Sequence, residues 1–467
     1  MMETDGNSGM MSGLKNNLKV YHWKEIVDWA RENSPFYREL YHGLFPVEKL
    51  SDLPIVNQDD FWKANTIQNN RVLTSSTLDG IVFKSGGTTG NPKFSVFTRE
   101  EWNQMVHLFG EGMSQAGISK GDRVGNLFYV GDLYGSFIFI MRSLESGPIP
   151  VLQFPIGGGT PLDTILKTVN DFQINVLVGP PTTLLSAAAY YLENRFLYPD
   201  IRIDKALYGG ESIYSDQREQ LLTAFPGVKI LSVGYASVDA GLLGYAAKDC
   251  QLDEHRVFAS SVILEIVDEE TGQPIEEVGH PGKLTATSLT RRLMPIIRYP
   301  VGDRAEWKEP FSEEKKDRKF LLLGRSDDAA RIGPLSVYYE DMREIIAAAN
   351  TGVPITAFQL VVRHSNKKDG LIVRMAVLPE ELQDRALQSQ ESGGKVQESR
   401  ESSGRASKKL DKAWKKILNL FNQERSAYLQ AVERDLIYPM AVEWTTSDQM
   451  KINLRTGKLK RVIDQRR

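Results

Sequence analysis

The sequence predicts an α/β protein with a large multi-sheet N-terminal domain and a small α+β C-terminal domain. Three observations carry this. The chain has 467 residues, well beyond the roughly 100–200 typical of one domain. From Gly80 to about Ala247, apolar runs alternate with helical patterns, the rhythm of strand–helix–strand units with much parallel pairing. Past Gly324 that rhythm gives way to a smaller helix-and-hairpin unit.

Taken in order, residues 1–14 form a polar, Gly-rich tail with no basic segment followed by an apolar one, so no secretory signal is expected. Tyr21–Tyr41 reads as a helix whose buried face is Trp23, Ile26, Val27 and Ala30, interrupted at Ser34-Pro35 because proline biases its predecessor away from helical geometry. Strands are expected at Val124–Val130, Pro148–Gln153 and Val176–Val178, with helices over Tyr134–Glu145 and Leu162–Phe172 between them. Val257–Val267 and Gly282–Thr287 read as strands joined through the polar cluster Glu269–Gly272. In the second unit, a helix at Tyr339–Ala349 precedes a hairpin of Phe358–Val362 and Leu371–Leu378. Residues 388–408 are rich in Ser, Gly, Glu and Arg; such a segment cannot offset its ordering entropy by burial, so a flexible insertion is expected. Leu410–Leu429 reads as a helix with Leu410, Ala413, Trp414, Ile417 and Phe421 on one side.

Composition narrows the function classes. Lys and Arg number 57 against 60 Asp and Glu, a net charge of −3, which supplies no global field for nucleic acid. One cysteine, Cys250, excludes an internal disulfide and a Cys-rich zinc site. Cys250 and His255 are read as structural. The longest apolar stretch, around Phe137–Met141, falls far short of the roughly 20 residues that span a bilayer. A cytoplasmic enzyme with no nucleic-acid or membrane partner is the expected class.

The most informative stretch is Lys84–Lys93, directly after the apolar Ile81-Val82-Phe83. Gly86, Gly87 and Gly90 let backbone N–H groups turn inward, Ser85, Thr88 and Thr89 add hydroxyls, and Lys93 supplies a point charge. That is the donor-rich concavity a polyphosphate needs; on composition alone a plain surface turn would serve equally. It is not a Walker A loop, because Phe94 rather than Ser or Thr follows Lys93.

This loop resembles the signature of the adenylate-forming superfamily of acyl-CoA synthetases, adenylation domains and luciferases. Five further segments match in order: Gly209-Gly210-Glu211, Tyr235-Ala236-Ser237-Val238-Asp239, Tyr299-Pro300-Val301-Gly302-Asp303, the hinge-like Gly324-Arg325-Ser326-Asp327-Asp328, and Thr456-Gly457-Lys458. Ser34-Pro35-Phe36-Tyr37 and the modest length look most like the phenylacetate–CoA ligase branch. The resemblance runs from about Tyr21 to Arg461. It implies domains at 15–326 and 327–467, the second a mobile lid. It also implies ATP-dependent activation of a carboxylic acid through an acyl-adenylate, followed by transfer to CoA or a carrier protein's phosphopantetheine.

The resemblance also assigns roles, each beside a plainer alternative. Ser85, Gly86, Gly87, Thr88, Thr89, Gly90 and Lys93 would hold the phosphates; Gly210, Glu211 and Tyr235 would line the nucleotide. Asp239 stands where the family carries a glutamate on Mg²⁺, and a carboxylate suits that hard cation; Ala236, Val238 and the shorter Asp239 side chain depart from the family pattern. Asp303 would accept the ribose hydroxyls, with Arg325 adding a donor; otherwise they form a surface ion pair worth little. Lys458 would bridge carboxylate and α-phosphate, although Leu454–Arg461 alone reads as a basic tail. Asp327 would be the hinge about which the lid swings. The following loop, Arg331–Leu335, departs from the family's pattern, which touches the second half-reaction.

Tyr129, Asp132, Tyr134, Gly209, Gly210 and Tyr235 are expected to form the acyl pocket, a flat, partly polar slot suited to an aryl or short acyl group. Tyr129 and Tyr134 could equally fill the core. Asp132 lies where amino-acid-activating relatives pair with the substrate ammonium, or it caps the helix that begins near Tyr134. Amino-acid activation with transfer to a carrier protein or amine therefore stays open, as does a catalytically reduced homologue that only binds nucleotide or acyl-adenylate.

Overall fold

The structure is a computed structural model that describes residues 18–466 apart from 77–78, 86–92, 211–212, 214, 269, 326–328, 333–334, 366–367, 383–399, 434–436 and 453–457. The chain forms two compact units that divide between Leu323 and Gly324.

The first unit opens with α1 (Trp23–Asn33) and α2 (Pro35–Leu40). The break falls at Ser34, whose extended backbone ends α1 and whose hydroxyl accepts from the Tyr37 N–H to start α2. After α3 (Gln58–Ala64), β1 (Gly80–Ser85) and β2 (Lys93–Thr98) form an antiparallel hairpin in which Ser85 faces Lys93. Thr98 and Glu101 form a capping box that starts α4 (Arg99–Gln115).

The expected strand–helix alternation follows as β3 (Arg123–Asn126), α5 (Ser136–Ser146), β4 (Leu152–Pro155), α6 (Leu162–Asp171), β5 (Val176–Gly179), α7 (Pro181–Asn194), β6 (Lys205–Tyr208), α8 (Ser215–Ala224) and β7 (Lys229–Ser232). The five strands pair in parallel in the order β4-β3-β5-β6-β7. The first strand is shorter than Val124–Val130. Asn126 ends it by donating to Phe137 O and accepting from the Phe128 N–H. The strand expected at Pro148–Gln153 begins later, at Leu152, because Pro148 and Pro150 bring no N–H to a ladder.

A seven-stranded sheet completes the unit, built from β8 (Tyr235–Ser237), β9 (Gly241–Tyr245), β10 (Glu254–Val257), β11 (Val262–Val267), β12 (Gly282–Ser288), β13 (Tyr299–Trp307) and β14 (Lys319–Arg325) in the order β11-β12-β13-β14-β10-β9-β8. The single strand expected over Val257–Val267 is two, separated where Ser261 folds back to donate to Phe258 O.

The second unit contains the β15 (Ala329–Ile332) and β16 (Leu335–Tyr338) hairpin, α9 (Tyr339–Ala348), β17 (Ile355–Ser365), β18 (Lys368–Val377), α10 (Arg400–Glu424), α11 (Ser426–Glu433), β19 (Ala441–Thr445) and β20 (Val462–Asp464). Its four-stranded sheet runs β19-β18-β17-β20, antiparallel at the centre and parallel at both flanks. Of the segment expected to be a flexible insertion, 388–399 lie outside the described residues, while Arg400–Lys408 open α10. The helix expected over Leu410–Leu429 breaks at Arg425 into α10 and α11. Leu410, Ala413, Ile417 and Phe421 are buried with Tyr339, Leu360 and Met375 in this unit's own core. Among the described residues no helix is long and apolar enough to cross a membrane.

Candidate active site

The β1–β2 hairpin places its Gly-rich connection between two strand ends, and Gly86, Gly87, Thr88, Thr89 and Gly90 lie outside the described residues. Ser85 ends β1, and nothing is described of its side chain. Lys93, the first residue of β2, holds its Nζ 5.4 Å from the ring centroid of Trp62 on α3, a cation–π distance. The Trp62 Nε1–H donates to the Tyr299 hydroxyl at 3.0 Å, and Gln58 Nε2 donates to the same oxygen at 3.2 Å and to Pro300 O at 2.5 Å. Those two donors occupy the hydroxyl's acceptor sites, which turns its proton toward Asp239 Oδ2, 3.5 Å away. Burial, with the Asp239 charge added, pushes the Tyr299 phenol far above its usual range, so it stays a donor.

Asp239 sits in the turn between β8 and β9. Arg291 fixes that turn: its Nη1 donates to the Asp239 carbonyl at 2.6 Å and its Nη2 to Val96 O at 3.2 Å, while the guanidinium stacks 4.1 Å above Phe97. Burial lowers Arg291 to about 10, with the Glu101 and Asp239 charges opposing, so it is cationic at neutral pH. Arg291 thus couples the carboxylate-bearing turn to the strand that begins at Lys93.

A second tyrosine–carboxylate pair runs between the same two regions. The Tyr235 hydroxyl donates to the Asp303 carboxylate, joining β8 to β13. The Tyr235 ring lies 5.8 Å from His255 and 6.2 Å from Phe320. His255 is buried, pairs with the Ser232 hydroxyl at 2.9 Å, and is lowered to about 4 by burial, which leaves it neutral at pH 7. Cys250 is half-buried, its thiol raised by burial. Gly302, immediately before Asp303, has φ +90, in the left-handed region that favours glycine. Lys93, Trp62, Tyr299 and Asp239 thus form one chain of contacts, and Tyr235 with Asp303 a second that joins β8 to the same strand, β13.

No family model matches the chain. The sequence is 24% identical over 373 residues to a phenylacetate–coenzyme A ligase of Thermus thermophilus, covering 77% of this chain and 81% of that protein. It is 26% identical over 257 residues to an indoleacetate–lysine synthetase of Pseudomonas savastanoi, covering 54% and 59%. The fold is that of 2-hydroxyisobutyryl-CoA ligase crystallised in the postadenylation state with its acyl-AMP, at a TM-score of 0.72 and 17% identity over 95% of this chain and 88% of that one. The sequence thus resembles phenylacetate–CoA ligases over most of its length, and the fold is shared with a CoA ligase that carries an acyl-AMP.

The residues expected to line the acyl slot are held by close packing. Tyr129, half-buried, pairs with the Thr183 hydroxyl at 3.2 Å, and its ring lies so near Gly158 that a Cβ there would sit 2.5 Å from Tyr129 Cε2. A Cβ on Gly209 would meet Val233 Cγ1 at 2.5 Å. Gly210 has φ +81, while Glu211 lies outside the described residues. Tyr134 is half-buried, its N–H bonded to Gly131 O at 2.8 Å. The capping alternative for Asp132 does not hold. The helix α5 has Gly135 at its N-cap, whereas Asp132 is in the left-handed region (φ 48) and is ion-paired with Lys84, near the end of β1.

The second unit carries Lys458, half-buried. Its neighbours are paired: the Lys460 N–H donates to Lys451 O at 3.0 Å, and Ile452 bridges to Leu459. Thr456, Gly457 and Asp327 lie outside the described residues, as does the Arg325 side chain. Gly324 has φ +93 and packs so closely on Glu340 that a Cβ would lie 2.4 Å from its Cγ; Glu340 in turn pairs with Arg461 at 3.1 Å. Sequence reasoning missed Gln58, Trp62 and Arg291. No spacing ties them to the motifs, because only tertiary pairing brings them to Tyr299 and Asp239.

Proposed function

We propose that this chain is an AMP-forming acid–thiol ligase that activates an aryl or short-chain carboxylic acid with ATP and passes the acyl group to CoA. The observation that carries the reading is the pair of tyrosine–carboxylate contacts that hold Asp239 and Asp303, the first reached from Lys93 through Trp62, in a chain similar to phenylacetate–CoA ligases over 77% of its length.

In the first half-reaction a carboxylate oxygen forms a bond to the α-phosphorus, the bond from that phosphorus to the bridging oxygen breaks, and pyrophosphate leaves. Ser85, Thr88, Thr89, the loop glycines and Lys93 gather the departing phosphates. Asp303, oriented by Tyr235, accepts from the ribose hydroxyls, and Arg325 adds a donor. Gly210 and Glu211 border the nucleotide. Asp239 would hold Mg²⁺, and the fit is reasonable: a hard oxygen ligand on a half-exposed turn that Arg291 secures through the backbone carbonyl. When bound, the ion neutralises phosphate charge. Lys458 supplies positive charge to the pentavalent phosphorus. In the second half-reaction the acceptor sulfur bonds to the acyl carbon, AMP leaves, and the thiol proton passes to solvent. Asp327 is the pivot for the lid between the two steps.

A second reading, transfer to an amine in place of a thiol, is favoured by the indoleacetate–lysine synthetase relationship. ATP–pyrophosphate exchange against a panel of aryl and short acyl acids, followed by CoA, a carrier protein's phosphopantetheine or lysine as acceptor, separates these. Absence of acid-dependent exchange, while nucleotide still binds, would identify a catalytically reduced homologue.

A further inference from the structure

Lys451 and Lys460, on either side of Lys458 in sequence, are clasped by one buried side chain that no sequence motif singles out. Gln359, in the middle of β17, is fully buried. Its Nε2 donates to Lys451 O at 2.8 Å and to Lys460 O at 2.7 Å, and its Oε1 accepts from the Lys451 N–H at 3.2 Å. Both amide hydrogens are therefore used on the two ends of one loop, and the reverse orientation would set Oε1 against two carbonyl oxygens. The contacts are made by a side chain aligned with β17 itself, whose Leu360 N–H takes Arg461 O at 2.8 Å just downstream. A buried amide with three partners is costly to disturb: without it Lys460 O loses this donor, the Lys451 N–H loses this acceptor, and Lys451 O keeps the Lys460 N–H alone of the two.

We propose that Gln359 is a positioning residue for adenylation: it pins Lys451 and Lys460 to the central sheet so that Lys458, two residues from the second anchor, is presented in one fixed geometry. This rests on the reading of Lys458 given above. It adds a residue that never touches substrate yet sets the rate of the first half-reaction. A transition-state charge is effective only when held in place beforehand.

The test is Gln359→Met, which keeps length and apolar volume and removes all three hydrogen bonds. Pyrophosphate exchange is expected to fall at least tenfold in kcat with the KM for ATP little changed. CoA-dependent conversion of a supplied acyl-adenylate should stay within about twofold. In a Lys458→Ala background the same substitution should add no further loss of exchange, because both changes remove one effect. Hydrogen exchange guards against a folding artefact: the Lys451 amide should lose protection while the Leu360 amide keeps it. Equal loss in both half-reactions, an effect that multiplies with Lys458→Ala, or loss of Leu360 protection overturns the proposal. If Lys458→Ala alone exchanges pyrophosphate at the parent rate, the Lys458 reading itself fails, a result distinguishable from failure of Gln359.

Discussion

Tyr299 meets Asp239 at 3.5 Å with its hydroxyl already accepting from Trp62 and Gln58. Asp239 is thereby addressed by a proton whose direction is fixed from α3, in a different part of the sequence. With Tyr235 donating to Asp303, β8 with its following turn and β13 are joined by two tyrosine–carboxylate pairs of opposite sense.

Tyr299→Phe removes the acceptor shared by Trp62 and Gln58. The first unit should lose about 1–3 kcal/mol, the cost of buried donors left unsatisfied. Asp239 would lose its orienting donor, so the Mg²⁺-ATP KM should rise several-fold while the carboxylate KM holds. Thermal unfolding and exchange kinetics read both effects; unchanged values in both would mean that the contact orients nothing.

Asp239→Asn should depress adenylation and raise the Mg²⁺ concentration needed, because a neutral amide is a poorer ligand for a hard dication. A magnesium titration of pyrophosphate exchange decides it. An identical titration curve would move the assignment to another carboxylate, Glu211 first.

Lys458→Ala should lose acyl-adenylate formation by a factor of about 10²–10³, the usual loss on removing one preorganised charge-stabilising group. It should still turn a supplied acyl-adenylate and CoA into thioester. Asp327→Pro should do the reverse, since a fixed φ at the pivot restrains the swing. Single-turnover assays of each half-reaction expose the split, and equal losses in both would count against two poses.

His255 makes a pH prediction. Its folded value of about 4 lies below the unfolded 6.5, so between those values the unfolded chain binds the additional proton. Stability therefore rises with pH through that window and falls as pH drops from 6.5 toward 4. The full effect is about 3 kcal/mol at 1.36 kcal/mol per unit. Urea unfolding of the parent and of His255→Gln at pH 7.5 and 4.5 measures it, with the variant expected to show the shallower dependence. Parallel slopes would place the acid sensitivity elsewhere.

The sequence by itself determined the α/β alternation and the order of a large unit before a small one, and it singled out Lys93, Asp239, Asp303 and Lys458 as candidates. Hydrophobic periodicity and Gly-rich spacing are local properties that survive in one dimension. Its errors are also local ones. It ran Val124–Val130 as one strand because it could not see Asn126 turning its amide onto Phe137 and Phe128. It joined Val257 to Val267 because a turn closed by Ser261 leaves no breaker residue in the pattern. It offered Asp132 as a helix cap because sequence distance suggests capping, whereas the ion pair reaches across to Lys84. What only the tertiary structure decided is which side chains hold the motif residues in place. Gln58, Trp62 and Arg291 gather around Tyr299 and Asp239, and Gln359 spans Lys451 and Lys460. Each of these contacts joins segments tens of residues apart or more through one directional hydrogen bond or ring contact. Such geometry exists only once strand pairing has fixed the distances between them.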